Sequence, residues 1–402
     1  MRAGRHDRLP DVGSLRLVVA VTDPMALLLL RGQLAAARTA GFDVTVISGP
    51  GKQAARIAAA ENVRHIAVAM ERGISPWRDV RSLWRLYGVL RALEPDIVNA
   101  STPKAGLLVT LAARLAGVPG RIHTLRGLRF ETTTGATRIL LMAMTWLTCG
   151  LARRVICISP SLRQKAIASG VVSADKAVVL GAGSSNGIDV ARFTATAAMR
   201  EQAGQLRRSV GIPPTVPVLG FVGRIARDKG IVELVEAWRS LRKNFADLHW
   251  LVLGPADPTD PVTPAIHAEL HRDPRIHWLG RHDDVVPAYL AMDLLALPTY
   301  REGFGNVLIE AAALEIATVA TRVTGCVDAV ADGVTGTLVA PRDARALERA
   351  IEAYLRDPER RVEHGRAGRA RVRELFDHNL LWDHLHREYR ALGRAAGVAR
   401  EF

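Results

Sequence analysis

Short apolar runs alternate with longer helical patterns along the chain, and this alternation restricts the possible folds more than any other feature. Five apolar runs in the first half predict β-strands, at residues 15–22, 43–48, 96–100, 121–124 and 155–159. Segments with helical spacing or length separate them, at residues 27–40, 52–60, 77–93, 104–115 and 137–151. Mostly apolar strands that alternate with helices are typical of a parallel sheet whose two faces are both covered.

The same alternation begins again in the second half, after a polar seam rich in Gly, Ser and Asn between residues 181 and 217. Strands are predicted at 216–222, 248–253, 276–279, 294–298 and 318–321, and helices at 232–242, 286–291, 305–314 and 344–356. We therefore predict an α/β protein of two Rossmann-like doubly wound domains that face a cleft. The predicted units are an N-terminal domain, a C-terminal domain and a final helix that packs back toward the first domain, at residues 1–185, 186–378 and 379–402.

Composition narrows the class of protein. The chain has 402 residues, of which 49% are apolar and 23% charged, and this excludes a disordered chain and a multi-span membrane protein. The three cysteines are scattered and form neither a disulfide framework nor a metal-ligand pattern, which indicates a reducing compartment. Residues 1–10 are basic and polar, with no apolar segment of signal-peptide type behind them. We therefore expect a cytoplasmic protein.

The net charge of +14 is confined to the first half of the chain. Residues 1–200 contain 27 Lys and Arg against 12 Asp and Glu, whereas residues 201–402 contain 27 against 28. Two interpretations stay open: a soluble basic surface, or a surface for nucleic acid, acidic lipid or a phosphate-bearing substrate. Nucleic acid is not expected, because aromatic residues are only 5% and no stripe interleaves them with Lys and Arg.

The segment REGFGNVLIE, residues 301–310, follows a predicted strand and opens a predicted helix. A glycine-containing loop at a helix N-terminus exposes unpaired backbone N–H groups that suit a phosphate, and Gly303 and Gly305 permit a close approach. Glu302 precedes the helix and Glu310 lies about one and a half turns into it, so one carboxylate can reach a ligand's sugar and the other its ribose. The alternative is a capped helix in which Glu302 only complements the helix dipole.

Two further segments lie at predicted strand ends. In GRIARDKG, residues 223–230, Arg224 and Lys229 with their flanking glycines would form a cradle for a diphosphate and neutralise the charge on a departing nucleotide. An ordinary basic loop is the alternative, and taken alone this segment favours it. His123 ends a strand of the first half; it is either a packing residue or, if it faces the cleft, a donor to the phosphate or hydroxyls of the ligand.

Together these motifs resemble those of the retaining, GT-B-fold glycosyltransferases of family 4. EGFGNVLIEA is similar to the family signature, with Glu302 and Glu310 as its Glu-x7-Glu pair, and GRIARDKG resembles its phosphate-binding loop. NGID, TGCVDAV and DGVTG resemble further elements of the donor domain, at residues 186–189, 324–330 and 332–336. STPKAG, HTLRG and GSSNG are similar to bacterial capsule and surface-polysaccharide members that act on undecaprenyl-diphosphate-linked acceptors, at residues 101–106, 123–127 and 183–187.

The resemblance implies a retaining transfer of a hexose or N-acetylhexosamine from a nucleoside-diphosphate sugar, with a UDP-sugar favoured, to a polyprenyl-diphosphate-linked sugar in surface polysaccharide synthesis. The departing diphosphate would accept the proton of the acceptor, and no metal or cofactor is expected. The implied catalytic residues are Glu302, His123, Arg224 and Lys229. The implied donor-binding residues are Arg224, Lys229, Gly303, Phe304, Gly305, Asn306, Val307 and Glu310.

Two alternatives stay open: a soluble small-molecule acceptor, and a GT-B-fold sugar-nucleotide epimerase, against which the Glu-x7-Glu pair counts. We also expect the basic first domain to bind the inner face of the cell membrane peripherally, with Arg126, Arg129 and Lys104 facing the acceptor or lipid. The apolar segment 139–151 has about 13 residues where a membrane span needs ~20. It is either a core helix, which we favour for its apolar side chains, or part of the lipid-facing surface.

Overall fold

The computed structural model describes residues 14–71, 73, 75–282, 284–395 and 397. Residues 1–10, on which the expectation about a signal peptide rests, lie outside this part of the chain. Within it, the first half contains seven strands, all paired in parallel, namely β1 Arg16–Ala20, β2 Asp43–Ser48, β3 Arg64–Ala67, β4 Ile97–Ser101, β5 Gly120–Leu125, β6 Arg154–Cys157 and β7 Ala177–Val178. Their order in the sheet is β3-β2-β1-β4-β5-β6-β7.

Helices connect these strands on both faces of the sheet. They are α1 Gln33–Thr39, α2 Lys52–Ala60, α3 Pro76–Leu93, α4 Pro103–Leu115, α5 Gly135–Leu151 and α6 Pro160–Ala168. From β1 the chain runs toward one edge through α1 and α2, and then it returns past β1 and continues through α3, α4 and α5. Since such crossovers are right-handed, the first two helices cover one face and the next three the other.

The second half repeats this design with six described strands in the parallel order β10-β9-β8-β11-β12-β13. The strands are β8 Val218–Val222, β9 His249–Leu253, β10 Ile276–Gly280, β11 Leu294–Leu297, β12 Ala317–Thr321 and β13 Gly336–Val339. The helices are α7 Ala197–Ser209, α8 Ile231–Asn244, α9 Pro264–Arg272, α10 Val286–Leu290, α11 Asn306–Ala313, α12 Cys326–Ala329, α13 Ala344–Arg356, α14 Pro358–Leu375 and α15 His378–Ala395. The prediction of two Rossmann-like doubly wound sheets is confirmed.

Each sheet reverses its strand order beside its first strand, so a crevice opens at the carboxyl ends of β1 and β4 and of β8 and β11. The two crevices face each other across contacts between the halves: Ser161, at the start of α6, accepts from Gly325 N at 2.8 Å and bonds to Asp328. Thr324 donates to Glu131 at 3.0 Å. The chain therefore places loops from both sheets in one cleft.

The last helix, α15, leaves the second half and packs against the first. Leu381, Leu385 and Tyr389 lie in the core that covers β1, β2 and β4, and the Tyr389 hydroxyl accepts from Asn99 Nδ2 at 2.8 Å. The domain boundaries at 185 and 378 stay predictions.

Some elements differ from the sequence-based expectation. The helix expected over 27–40 is divided into a 3-10 helix, Pro24–Leu30, and α1, because Gly32 between them adopts a left-handed conformation (φ 78°). Only glycine fits at this position, since a side chain there would also collide with Trp382. The apolar pattern did not predict the short strands β3, β7 and β13 or the helices α6, α7, α9 and α12.

Candidate active site

The loop between β11 and α11 forms the floor of the cleft. Gly305 caps α11 in the left-handed region (φ 79°), which favours glycine, and Phe304 anchors the loop in the core with its ring 5.2 Å from that of Phe376. Gly303 touches the first half, since a Cβ there would collide with the Arg126 carbonyl oxygen and with Ile158 Cδ1. The loop is therefore held by both halves of the molecule, with the first N–H groups of α11 behind it.

The two glutamates of this segment have different surroundings. Glu302 accepts from Lys229 Nζ, and both side chains are mostly buried. Glu310 accepts from the Tyr289 hydroxyl at 2.7 Å, and burial raises the pKa of its carboxyl group. Asn306 lies between them along the chain and lines a cavity with each. The spacing read from the sequence thus places two carboxylates in neighbouring cavities on either side of the start of α11.

Carboxylates neutralise the cations of the loop 223–230. Arg224 pairs with Asp257, while Lys229 pairs with Glu302. Lys229 lines the same cavity of about 270 Å³ as Glu302, whereas Arg224, about half exposed, is not among the residues that line it. A diphosphate entering this cavity would exchange the Lys229–Glu302 pair for its own contacts.

His123 lies at the carboxyl end of β5 and is buried. Burial lowers the pKa of its imidazole to about 4, so the ring is neutral at physiological pH. Its Nδ1 lies 3.0 Å from the Ala100 carbonyl oxygen, to which it donates, and this fixes Nε2 as an acceptor. The expectation that His123 donates to a phosphate does not fit this arrangement; a hydroxyl group is the partner that Nε2 can accept from.

Arg126 separates two cavities of the cleft. It lines the 270 Å³ cavity with Glu302 and Lys229, and it also lines a cavity of about 250 Å³ with His123, Arg129 and Arg301. Burial lowers the pKa of its guanidinium to about 10, and its Nη1 donates to the Ser185 carbonyl oxygen at 3.2 Å. Among the described residues no carboxylate pairs with Arg126. An anionic ligand would supply the missing counter-charge.

The structure brings most of the predicted site residues together. Those that line the cavity with Lys229 are Glu302, Gly303, Phe304, Gly305, Asn306 and Val307. Lys104 does not fit its expected place, because it is buried and forms an ion pair with Asp79 between α4 and α3. Arg301 was missed: it lines the first-domain cavity and pairs with Asp228 at 3.1 Å. Its position beside Glu302 in the motif was the available signal.

Similarity to known proteins covers nearly the whole chain. Residues 203–371 match the family described as Glycosyl transferases group 1, and residues 29–183 match a Glycosyl transferase 4-like domain. The chain is 34% identical over 369 residues to a capsular polysaccharide biosynthesis glycosyltransferase, CapM, of Staphylococcus aureus, an alignment that covers 92% of this chain and 95% of the relative.

A second relative and a solved structure extend this comparison. An Escherichia coli enzyme described as a UDP-Gal:alpha-D-GlcNAc-diphosphoundecaprenol alpha-1,3-galactosyltransferase is 27% identical over 260 residues, which are 63% of this chain and 65% of that enzyme. Among solved structures, Anabaena HepE in complex with UDP-glucose superposes with a TM-score of 0.78 over 94% of this chain and 100% of its own, at 19% identity. At that identity the likeness concerns the fold.

Proposed function

The chain belongs to the GT-B-fold glycosyltransferases of family 4, and from that premise we propose that it is a retaining enzyme of surface polysaccharide synthesis. It transfers a hexose or N-acetylhexosamine from a nucleoside-diphosphate sugar, with UDP-sugars favoured, to a sugar on a polyprenyl diphosphate. The observation that carries this proposal is the cavity in which Lys229, Glu302 and the start of α11 face Arg126 of the first half. The alignment with CapM, which is 34% identical and covers 92% of this chain, supports a role in surface polysaccharide synthesis.

The donor's diphosphate lies against Lys229 and the loop that precedes α11, with Arg224 released from Asp257 to reach it. Unpaired N–H groups at the helix start and these cations stabilise the negative charge that develops on the leaving group. Glu302 orients the transferred sugar, whereas Glu310, held by Tyr289, binds the ribose. Gly303, Phe304, Gly305, Asn306 and Val307 shape the site between them.

The transfer breaks the bond between the sugar's anomeric carbon and the diphosphate oxygen and forms a bond from that carbon to the acceptor oxygen on the same face. The acceptor hydroxyl's proton passes to the departing diphosphate, so no general base of the protein is required. His123 Nε2 accepts a hydrogen bond from a sugar hydroxyl and thereby positions it. Catalysis then consists of positioning and electrostatic stabilisation. The mechanism needs no metal ion, because Lys229, Arg224 and the N-terminus of α11 would supply the positive charge at the leaving group.

The acceptor occupies the cavity of the first half, where Arg126 and Arg129 meet its diphosphate. The E. coli relative is described as acting on a diphosphoundecaprenol acceptor, which supports a lipid-linked substrate. No described helix is long and apolar enough to cross a bilayer. We place the enzyme on the anionic inner face of the cell membrane, bound peripherally.

Incubation with UDP-, GDP- and dTDP-sugars tests this proposal, with and without a polyprenyl-diphosphate-linked N-acetylhexosamine. We expect nucleoside diphosphate release from a UDP-sugar that depends on the lipid-linked acceptor. Release that occurs only with a soluble acceptor, such as a free sugar or cyclitol, would contradict the assignment of the acceptor but not that of the donor site.

A further inference from the structure

The helix α5 has the composition of a core helix, yet the structure leaves most of it uncovered. Its 17 residues include one charged side chain, Arg138. Within this fully described helix only Thr148 and Cys149 are buried, while Ile139 is 71% and Trp146 61% exposed. The expectation of a core helix is therefore wrong for these apolar side chains. A large exposed apolar surface on a soluble domain marks an interaction site.

A second helix carries the same kind of surface. On α3, Trp77, Val80 and Trp84 follow each other at intervals of three and four residues, so they lie on one face of the helix. Trp77 is 89% and Trp84 64% exposed. Arg81, Arg85 and Arg91 are exposed on the same helix. The exposed face of α3 therefore combines tryptophan with arginine.

The two helices flank α4 on one side of the first domain. The crossovers through α3, α4 and α5 lie on the same face of the first sheet, and α4 packs against both of its neighbours. In the sequences of these three helices the one carboxylate is Asp79, and Lys104 neutralises it. Tryptophan concentrates at the boundary between water and hydrocarbon, and arginine extends its guanidinium to anionic headgroups. A second copy of this chain would instead oppose one positive surface to another.

We propose that α3 and α5 form the docking face by which the protein lies on an anionic bilayer, with α5 sunk to the level of the headgroups. This inference rests on the proposed lipid-linked acceptor and goes beyond it, since it assigns the membrane contact to particular side chains. The docking face comprises Trp77, Val80, Trp84, Ile139, Leu140, Trp146 and Leu147 with the arginines of α3.

The position of the first-domain cavity agrees with this orientation. Leu141, Met144 and Thr148 line the cavity, whereas Ile139 and Trp146 lie on the opposite side of the same helix. An α-helix is about 10 Å across, and interfacial helices bury their apolar face by about 5–10 Å. The cavity behind α5 then lies at the depth of the lipid phosphates. A polyprenyl diphosphate can reach the arginines of that cavity while its chain stays in the bilayer.

Vesicle co-sedimentation tests the docking face directly. The wild type should bind phosphatidylglycerol-containing vesicles more strongly than phosphatidylcholine vesicles and lose much of that binding at high salt, where exposed charges are screened. The double variants Trp77→Ser/Trp84→Ser and Ile139→Ser/Trp146→Ser should each lower partitioning about tenfold or more. The control Val334→Ser/Val362→Ser, which removes exposed apolar side chains of the second half, should bind as the wild type does.

Activity assays separate this proposal from the proposed function. Both docking-face variants should retain turnover with a short-chain, water-soluble diphosphate acceptor and lose it with the long-chain acceptor in vesicles. Equal vesicle binding by all variants would overturn the docking face and leave the enzyme assignment intact. The docking face would also be overturned if the wild type did not bind anionic vesicles. A wild-type dimer that dissociates in the tryptophan variants would overturn it too. Docking as described without turnover on any lipid-linked acceptor would support this face and contradict the proposed acceptor.

Discussion

At the residue scale, carboxylates pair with the cations of the two loops that form the donor side of the cleft. Lys229 and Glu302 bond to each other across 73 positions of the chain, and Arg301 bonds to Asp228 across the same separation. The sequence alone does not predict which residues pair, because each contact forms only after two loops meet at the carboxyl edge of one sheet. If the diphosphate binds against Lys229 as proposed, it replaces an existing ion pair with Glu302.

Replacing the glutamates one at a time separates their roles. Glu302→Gln keeps the shape of the side chain but removes its charge, and we expect turnover to fall about a hundredfold with the fold unchanged. Glu310→Gln should mainly raise the KM for the donor, because the proposed partner of Glu310 is the ribose and not the reacting sugar. Steady-state kinetics measure both effects. Glu352→Gln, which removes a surface ion pair with Arg356, is the matched control; near-wild-type kinetics for both site variants would contradict the assignment.

Lys229→Ala tests which part of the donor meets this side chain. Loss of a charge-assisted contact should weaken UDP binding about tenfold to a hundredfold and leave uridine binding nearly unchanged. Titration calorimetry with both ligands gives the comparison. Because the variant also leaves Glu302 without its partner, the double variant Lys229→Ala/Glu302→Gln serves as the control for that carboxylate. Equal losses for UDP and uridine would show that Lys229 does not bind the diphosphate.

At the element scale, the pattern of apolar runs and glycines was sufficient to predict both sheets and the loop before α11. For α5 the pattern was not sufficient. It predicted a helix at residues 137–151, but it could not predict whether the apolar side chains of this helix are buried or exposed. An apolar helix can face protein or lipid, and that choice depends on how the neighbouring helices pack over the sheet. The strand β3 was missed because it contains few apolar residues, and β7 was missed because it has only two residues.

Gly303 tests whether the donor loop needs its close approach to the first half. In Gly303→Ala the new methyl group meets the Arg126 carbonyl oxygen and Ile158 Cδ1. Overpacking of this kind costs about 1–3 kcal/mol, so we expect the cleft to close less completely and turnover to fall about tenfold. Gly204→Ala, in the open surroundings of α7, is the matched control. Kinetics of Gly303→Ala equal to those of the control would contradict the proposed contact.

At the scale of the whole molecule, the chain is tied together at both sides of the cleft. The loop at α12 bonds to Ser161 and Glu131 of the first half, while α15 crosses over and packs on the first sheet. The contacts of α15 with the first sheet are apolar and buried, whereas the bonds at Ser161 are few and polar, so we expect α15 to hold the halves together if the cleft opens. Opening should therefore occur at Ser161 and hinge near α15.

Ser161→Ala removes the hydroxyl that bonds to Asp328 and to Gly325 N. With these bonds lost, we expect the unliganded variant to populate more open molecules and to show a larger radius of gyration in small-angle scattering, which a UDP-sugar reverses. Ser169→Ala, at the other end of α6, should scatter as the wild type does. A radius of gyration that Ser161→Ala leaves unchanged would locate the closing contact elsewhere.

The stereochemistry of the product tests the central claim most directly, because a diphosphate that accepts the acceptor's proton must leave and be replaced on the same face of the sugar. The measurement is the proton NMR coupling of the anomeric hydrogen in product made by the wild type from an α-linked UDP-sugar and the lipid-linked acceptor. The account predicts an α-linked product. A β-linked product would require a base on the opposite face of the sugar, and it would contradict the mechanism built on Lys229, Glu302 and the departing diphosphate.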